Sequence, residues 1–303
     1  MRLKPEGSGT ITVGCQLLGY SRQAYYKPQA LRRELVGLEA DLSSLFKKER
    51  SKCPGIGCRS IYKTHADVIP IGRDKCKAYA AALGLYVKRP KRHIRTTKSD
   101  KRMFDNLLVN KQVSAVNQVW QADMTYYIKA DRWYFIMLIT DVYSQRIIGY
   151  GAYHQSTARE FREVLKQAVA TRRKEGYNTL EGLIHHSDGG RQYEEYQYRK
   201  YCKAKGIIQS MCYYSWENPY AEKTNDLIKG RYLDHWKPQN LQELRACLTQ
   251  AVEHHNHHQA KKKLSGLSPM EFEWTTRDQL SNDYNYILNL KPALPRVKMK
   301  TVI

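Results

Sequence analysis

The sequence predicts a mixed α/β sheet with helices packed on it, preceded by a small helical region. Two changes of texture carry this expectation. Up to about residue 102 apolar residues recur at helical spacing between glycine and proline breaks; from residue 117 three β-rich runs follow one another, after which helix and strand alternate. Strands that give way to alternating helix and strand are accommodated by one mixed sheet with helices on its faces. With 303 residues and 42% hydrophobic side chains, the chain has material for about two domains.

Taken in order, ITVGCQLLGYSRQAYYK (11–27) reads as a short helix, a turn at Gly19, Ser21 as N-cap, and a second helix carrying Arg22, Gln23 and Lys27. That is the outline of a helix-turn-helix unit or of an ordinary helical hairpin. In LRRELVGLEADLSSLFKKER, Leu31, Leu35, Leu38, Leu42 and Leu45 share one face of a helix, a seam suited to docking on its own domain or to pairing with another helix. Residues 55–85 repeat the pattern: CRSIYKTHA is helical, Pro70 and Gly72 break it, and RDKCKAYAAAL starts again. Arg73 and Lys75 then lie near the start of a second helix, where recognition helices meet DNA. The run KRPKRHIRTTKSDKR (88–102), with Lys88, Arg89, Lys91 and Arg92, is a basic linker suited to following a phosphate backbone.

In the second part, VWQADMTYYIKA, RWYFIMLITDVY and QRIIGYGAYH turn near Asp131 and Ser144 and predict an antiparallel meander. TAREFREVLKQAVATRR is helical, GLIHHS a short buried strand, YEEYQYRKYCKAKG another helix and IIQSM another strand; residues 219–234 and 239–258 are further helices. The expected divisions are a helix-turn-helix-like segment with an amphipathic helix over 1–50, a small helical DNA-binding domain with its basic linker over 51–102, a core over 110–275 and a tail over 276–303. Trp120, Trp133, Trp216 and Trp236 read as core residues, with stacking on an unpaired base as a second reading of Trp216.

Charge narrows the partner. Lys plus Arg number 51 against 29 Asp plus Glu, a formal net charge of +22, which calls for a partner dense in negative charge, nucleic acid ahead of an anionic membrane surface. No apolar run approaches the roughly 20 residues of a membrane span and the N-terminus lacks a signal-peptide apolar region, so a cytoplasmic, nucleoid-associated protein is expected. Seven cysteines, with no C-x-x-C pair, suggest reduced thiols rather than a disulfide framework or zinc knuckle.

In so basic a chain, three acids stand out. Asp123 falls inside the first strand run, where a charge among apolar neighbours is costly without a partner. Asp188 ends the strand GLIHHS, in IHHSDGGRQY, at the sheet edge where α/β proteins gather their chemistry. Glu222 lies on the helix of WENPYAEKTNDLIKG. Taken singly, each has an ordinary reading as turn former or solvated helix residue. Converging, they offer an all-oxygen site for one or two Mg²⁺ ions, with Mn²⁺ as a substitute, and in-line displacement at phosphorus as the chemistry. Around them, Lys229 lies two turns beyond Glu222, where it could hold a phosphate; Lys223 follows the Glu; Asn218 and Tyr220 precede it, as DNA contacts or as the cap and packing of the helix start. His186 reads as a structural histidine, and EHHNHH (253–258) as helical rather than as a zinc site.

In combination and in this order, VWQADMTYY, LITDVYSQRIIGY, HHSDGGRQY and NPYAEKTNDLIK resemble the catalytic core of bacterial insertion-sequence transposases of the integrase superfamily, specifically the reading-frame B protein of the IS-three type. Residues 55–98 resemble the helical domain in front of that core, and HHNHH followed by LSPMEFE resembles its closing segment. The resemblance implies a ribonuclease-H-like fold, an Asp, Asp, Glu triad at Asp123, Asp188 and Glu222, and Mg²⁺-dependent cleavage and joining of DNA at the element's ends. It also implies a homo-oligomer bridging terminal inverted repeats and target DNA, with an upstream-frame helix-turn-helix protein or fusion as a possible partner. The chain departs from the family's pattern at Gly189, where a basic or polar residue is common, at Arg231, and at Gln259, Ala260 and Lys261. The competing reading is a DNA-binding derivative that no longer cuts and acts as a repressor.

Overall fold

The computed structural model describes residues 11, 15, 18–87, 102–278 and 288–290. The chain divides into two compact units, Met1–Ser51 with Gly57–Tyr86, and Lys52–Ile56 with Val87–Ile303.

In the first unit, residues 11 and 15 are helical and Gly19 takes a left-handed φ of 70°, closing a turn in which the Tyr20 N–H reaches the Cys15 carbonyl at 2.9 Å. Ser21 then caps the next helix, its Oγ accepting the Ala24 N–H at 3.1 Å. That helix, α1 (Arg22–Lys52), runs on for 31 residues, so the two helices expected across 21–50 are one. Between Lys27 and Leu31 the sequence carries no glycine or new cap, and Pro28 by itself does not end the helix. Leu42 and Phe46 are buried on its inner face, and Glu49 pairs with His65 at 3.2 Å. Two short helices follow, α2 (Cys58–Thr64) and α3 (Arg73–Ala82), each entered from a glycine in extended conformation and burying Cys58, Ile61, Cys76 and Ala80. Arg50 closes the unit by donating to the Leu85 carbonyl.

The second unit is built on five strands: β2 (Val119–Lys129), β3 (Arg132–Asp141), β4 (Ile147–Tyr153), β5 (Ile184–Ser187) and β6 (Ile208–Met211), in the order β4-β3-β2-β5-β6. A two-residue strand, β1 (Gln112–Val113), precedes them. β2, β3 and β4 form the expected antiparallel meander, turning through left-handed Ala130 and Asp131 and through Gln145. β5 and β6 add on parallel to β2. Three antiparallel strands extended by two parallel ones on the side of the first is the ribonuclease-H-like arrangement.

Helices cover the sheet. α4 (Ala158–Lys174) begins with a Thr157/Glu160 capping box and places Phe161, Val164, Leu165 and Ala168 in a core with Trp120, Met137, Ile139 and Ile148. α5 (Arg191–Glu194) and α6 (Tyr196–Ala204) return the chain to β6, with Tyr193, Tyr198 and Cys202 in the same core. α7 (Pro219–Ile228) starts with proline in its first turn and passes into a π turn at Lys229–Leu233, then α8 (Asp234–Trp236). α9 (Leu241–His258) and α10 (Pro269–Asp278) close the unit. Segment 52–56 packs here: the Gly55 N–H donates to the Arg231 carbonyl at 2.8 Å, and a Cβ at Gly55 would stand 2.6 Å from the Arg231 Cα.

Part of the segment expected as a tail returns to the fold, because Leu288–Asn289 (β7) pairs antiparallel with β1 and Leu290 packs on a second apolar cluster with Leu108 and Val113. Residues 102–109, outside the expected core limits, also belong to it: Ser210 Oγ donates to the Asp105 carbonyl and accepts the Leu107 N–H. Trp120 is a core residue, whereas Trp133 and Trp216 are exposed. Trp133 leans on Tyr126 and Trp216 stacks on Tyr214 with ring centroids 4.3 Å apart. Among the described residues no helix is long and apolar enough to cross a membrane.

Candidate active site

Strand register brings the two aspartates together. In the parallel pair β2/β5, Gln121 is level with His186; Asp123 stands two residues further along β2, and Asp188 two residues beyond His186, just past the last residue of β5. Adjacent strands lie about 4.8 Å apart, so the two carboxylates share one end of the sheet at its centre. The apolar alternation of β2 predicts neither its neighbour nor its register, so by local pattern alone Asp123 stands out as a costly charge.

The helix bearing Glu222 is pinned to the same strand. Asn218 donates its amide to the Ala122 carbonyl at 2.9 Å, and the Gln121 side-chain oxygen accepts the Tyr220 N–H at 2.9 Å. One turn on, Asn225 donates to Asp123 Oδ2 at 2.8 Å. Glu222, in the first turn of α7, sits between these anchors. Proximity is legible in the electrostatics: burial, then the Asp188 charge and, more weakly, Glu222 push the Asp123 carboxyl up to about 7, against hydrogen bonds from Asn225 and the Met124 N–H. Asp188 is also raised by burial, while the Gly190 N–H at 3.2 Å and the Arg102 charge pull it back. Ringed by protein, its carboxyl still opens to solvent. Behind the acids, Ala122, Asp123, Phe161, Val164, Tyr193 and Tyr198 are among the residues lining a cavity of about 10 Å³. Among the described residues no three His, Cys, Asp or Glu side chains are drawn together as a ready metal-binding group.

The other candidates fall into different places. Asn218 is buried and committed to Ala122, so it positions the helix. Tyr220 is half-buried, with the Lys263 ammonium 3.4 Å from its hydroxyl and 5.2 Å from its ring centre. Lys223 is exposed. Lys229 lies at the start of the π turn and donates to Thr125 Oγ1 at 3.2 Å and the Tyr126 carbonyl at 2.8 Å, on the strand that carries Asp123. Arg73 and Lys75 are exposed on α3, Arg73 paired with Asp74 at 3.0 Å. Lys88, Arg89, Lys91 and Arg92 lie outside the described residues.

His186 is buried, its Nδ1 2.9 Å from Ser210 Oγ, and His185 meets the Tyr198 hydroxyl at 2.7 Å. In the histidine-rich segment, His254 meets the Tyr232 hydroxyl at 2.9 Å, His255 donates to the Gln145 carbonyl at 3.0 Å, and Asn256 makes a two-point bond to the Ile147 backbone. The segment thus locks α9 to the β3–β4 turn. Arg102, the last residue of the basic run, acts on Asp188 through its charge, a relation that the sequence does not show.

A central antiparallel meander, a parallel extension and a carboxylate site at the joint define a ribonuclease-H-like core. The integrase core domain family matches residues 113–214, ending just before the Glu222 helix. The chain is also similar to insertion-sequence transposases. It is 29% identical over 275 residues to an uncharacterised 31 kDa protein of insertion element IS600 from Shigella sonnei, covering 85% of this chain and 96% of that protein. The transposase of insertion sequence element IS629, also from Shigella sonnei, is 27% identical over 219 residues, covering 71% of this chain and 72% of its own. Among solved structures, the HTLV-2 integrase catalytic core domain in complex with magnesium aligns with a TM-score of 0.42 at 20% identity, over 55% of this chain and 99% of that one.

Proposed function

We propose that this chain is a DNA transposase that cuts at the ends of an insertion sequence and joins the freed ends to target DNA. The observation that carries this reading is that Asp123 lies on β2 and Asp188 just past the end of β5, its parallel neighbour, with the Glu222 helix tied to β2 by Asn218, Gln121 and Asn225. The integrase core match and the insertion-sequence relatives support it.

The donor set fits a hard divalent cation. It consists of carboxylate oxygens alone, and the like charges that raise Asp123 are what a cation between them would relieve. Asp123, Asp188 and Glu222 would hold Mg²⁺ or Mn²⁺, two ions in the full site. Bound there, the ions supply Lewis-acid stabilisation of the oxygens entering and leaving phosphorus. Hydrolysis exchanges the phosphorus–O3′ bond at the element's end for a bond from phosphorus to water oxygen, leaving a free 3′-hydroxyl. Joining exchanges a target phosphorus–O3′ bond for one to that hydroxyl. The protein's own part is positional: Asn225 holds the Asp123 carboxylate, the Gly190 N–H orients Asp188, and the buried anchors at Asn218 and Gln121 set the start of α7. Lys223, Tyr220 and Lys229, on or next to the helix that carries Glu222, would serve as DNA contacts, as would Arg73 and Lys75 on α3. The chain would act as an oligomer that brings two ends together.

Incubation with end-labelled element DNA and Mg²⁺ or Mn²⁺, read on a denaturing gel, tests the proposal. Cut and joined products are expected from the wild type and not from Asp188→Asn, which should still bind the DNA. Equal product from both proteins would overturn the reading.

A further inference from the structure

Beside the Glu222 helix lies a group of cations gathered from three elements. The chain leaves α9 at Gln259 and turns toward α10 through a closed loop. There the Lys261 N–H donates to the Leu267 carbonyl and the Gly266 N–H to the Lys261 carbonyl, both at 2.9 Å. Leu264 is buried in the second apolar cluster, on which Tyr220 of α7 also packs, so the loop is held beside the start of that helix. Burial, then the charges of Arg231 in the π turn and of Lys223 on α7, hold the half-buried Lys261 ammonium well below its usual range. Burial and Lys223 lower Lys263 as well, and after burial Lys261 is the main charge lowering His255. Among the described residues no carboxylate pairs with Lys223, Arg231, Lys261 or Lys263, whereas Arg146 and Arg172 are met by Glu175 and Glu273. A second observation is independent of charge. Gln259, 4% exposed and two residues before Lys261, has neither its amide oxygen nor its amide nitrogen hydrogen-bonded. Like charges collected on a folded loop, next to a buried amide with an unmet donor, call for an anion with several acceptor oxygens.

We propose that Lys223, Arg231 and Lys261, with Lys263 at their edge, form a site for one phosphate of the DNA backbone, distinct from the carboxylates and beside the helix that carries Glu222. The proposal deepens the DNA-transposase reading and rests on it for the identity of the anion. Ammonium and guanidinium groups take the non-bridging oxygens of a phosphate as charge-assisted acceptors, and the Gln259 amide adds a neutral donor. A phosphate bound among these cations offsets a repulsion that folding leaves in place. Lys223 directly follows Glu222, so a strand held here is held to the helix that sets the third acid. The site anchors the backbone, and the chemistry stays with the carboxylates.

The test reads affinity for element-end DNA by fluorescence anisotropy in metal-free buffer, together with melting temperature. It compares wild type, Lys261→Met, Lys261→Arg, Arg231→Met, the double Met variant and Lys203→Met, which removes an exposed lysine of α6. Lys261→Met and Arg231→Met should each lose about tenfold, and the double little more, because both cations serve one phosphate. Lys261→Arg should keep most of the affinity, and Lys203→Met should stay within about twofold of wild type. With methylphosphonate placed at one position of the strand at a time, one placement should weaken the wild type and leave Lys261→Met unchanged. Removing a charge from a crowd of like charges should leave the melting temperature of Lys261→Met at or above that of the wild type. Losses no larger than that of Lys203→Met would reduce the cluster to general surface charge and overturn the proposal. So would lowered melting temperatures in both Lys261→Met and Arg231→Met, which would make the cations part of the framework. A wild type that binds DNA but never cuts it would end the cutting reading and leave this site standing.

Discussion

Two groups of carboxylates lie within the sheet unit, and they differ in what faces them. At the β3–β4 turn, Asp141 and Glu273 meet two arginines: Arg172 donates to both Glu273 oxygens at 2.6 and 2.7 Å and to Asp141 at 3.2 Å, and Arg146 donates to Glu273 at 2.8 Å and Glu175 at 2.5 Å. Ser144 adds a bond to Glu273 at 2.6 Å. There the arginines hold the Glu273 carboxyl below its ordinary range despite burial. At the other group, Asp123 faces an amide and two further acids, and its carboxyl is raised to about 7. Buried acids matched by guanidinium groups inside the protein hold the closing helix α10 to the sheet. Acids that raise one another, as Asp188 and Glu222 raise Asp123, point to function rather than framework.

The largest expected effect breaks the comparison at its functional side. Asp123→Asn or Asp188→Asn should lower joining of labelled ends by at least about a thousandfold while DNA affinity, measured by anisotropy, stays close to wild type. Next, Arg172→Met should cost roughly 3–5 kcal/mol in urea unfolding, since it leaves Asp141 and Glu273 buried without their main cation. Asp123→Asn should do the reverse in metal-free buffer. A carboxyl raised to about 7 loses stability as pH rises from its unfolded value near 3.8 through 7, so removing the charge should gain about 1–2 kcal/mol at pH 8. Added Mg²⁺ should then raise the wild-type melting temperature and leave that variant unmoved.

A similar-sized effect sharpens the contrast from a neutral group. Burial pushes His185 down to about 3. Between pH 6.5 and 3 the unfolded chain takes up a proton that the folded chain cannot, so stability falls as pH drops below 6.5. For this group the loss should reach about 2 kcal/mol by pH 4.5, and His185→Gln should flatten the slope in pH-dependent unfolding. The smallest effect lies on the surface: Lys75→Ala should leave stability unchanged and reduce the salt slope of DNA binding by about one, and an unchanged slope would remove α3 from the DNA contact.

Much of the fold was legible before any coordinates. Val119–Lys129, Arg132–Asp141 and Ile147–Tyr153 were readable as strands because each side chain's burial alternates or saturates locally, and α4 because its apolar residues keep helical spacing. The join of α1 was missed since Pro28 looks like a boundary in a linear reading. The pairing of Leu288–Asn289 with Gln112–Val113 was missed because two-residue strands carry no periodicity. At the site, Asp123, Asp188 and Glu222 were nameable from motif order, but Asn225, Gln121 and Arg102 were not, since their roles exist only across long separations in the chain. Asn218 read as a DNA contact or a helix cap, and only its 2.9 Å bond to Ala122 showed it to be an anchor of the helix on the strand.

By itself the sequence determined which segments are helix or strand, the basic balance of the chain, and the order in which three acids occur, because these follow from side-chain chemistry over a few neighbouring residues. Tertiary structure alone decided that β5 lies beside β2 with Gln121 level with His186, that Glu273 is matched by arginines, and that Arg102 fills the space over Gly189. Register and pairing come from burying non-local surfaces against each other, and that free energy is written in no single stretch of the chain.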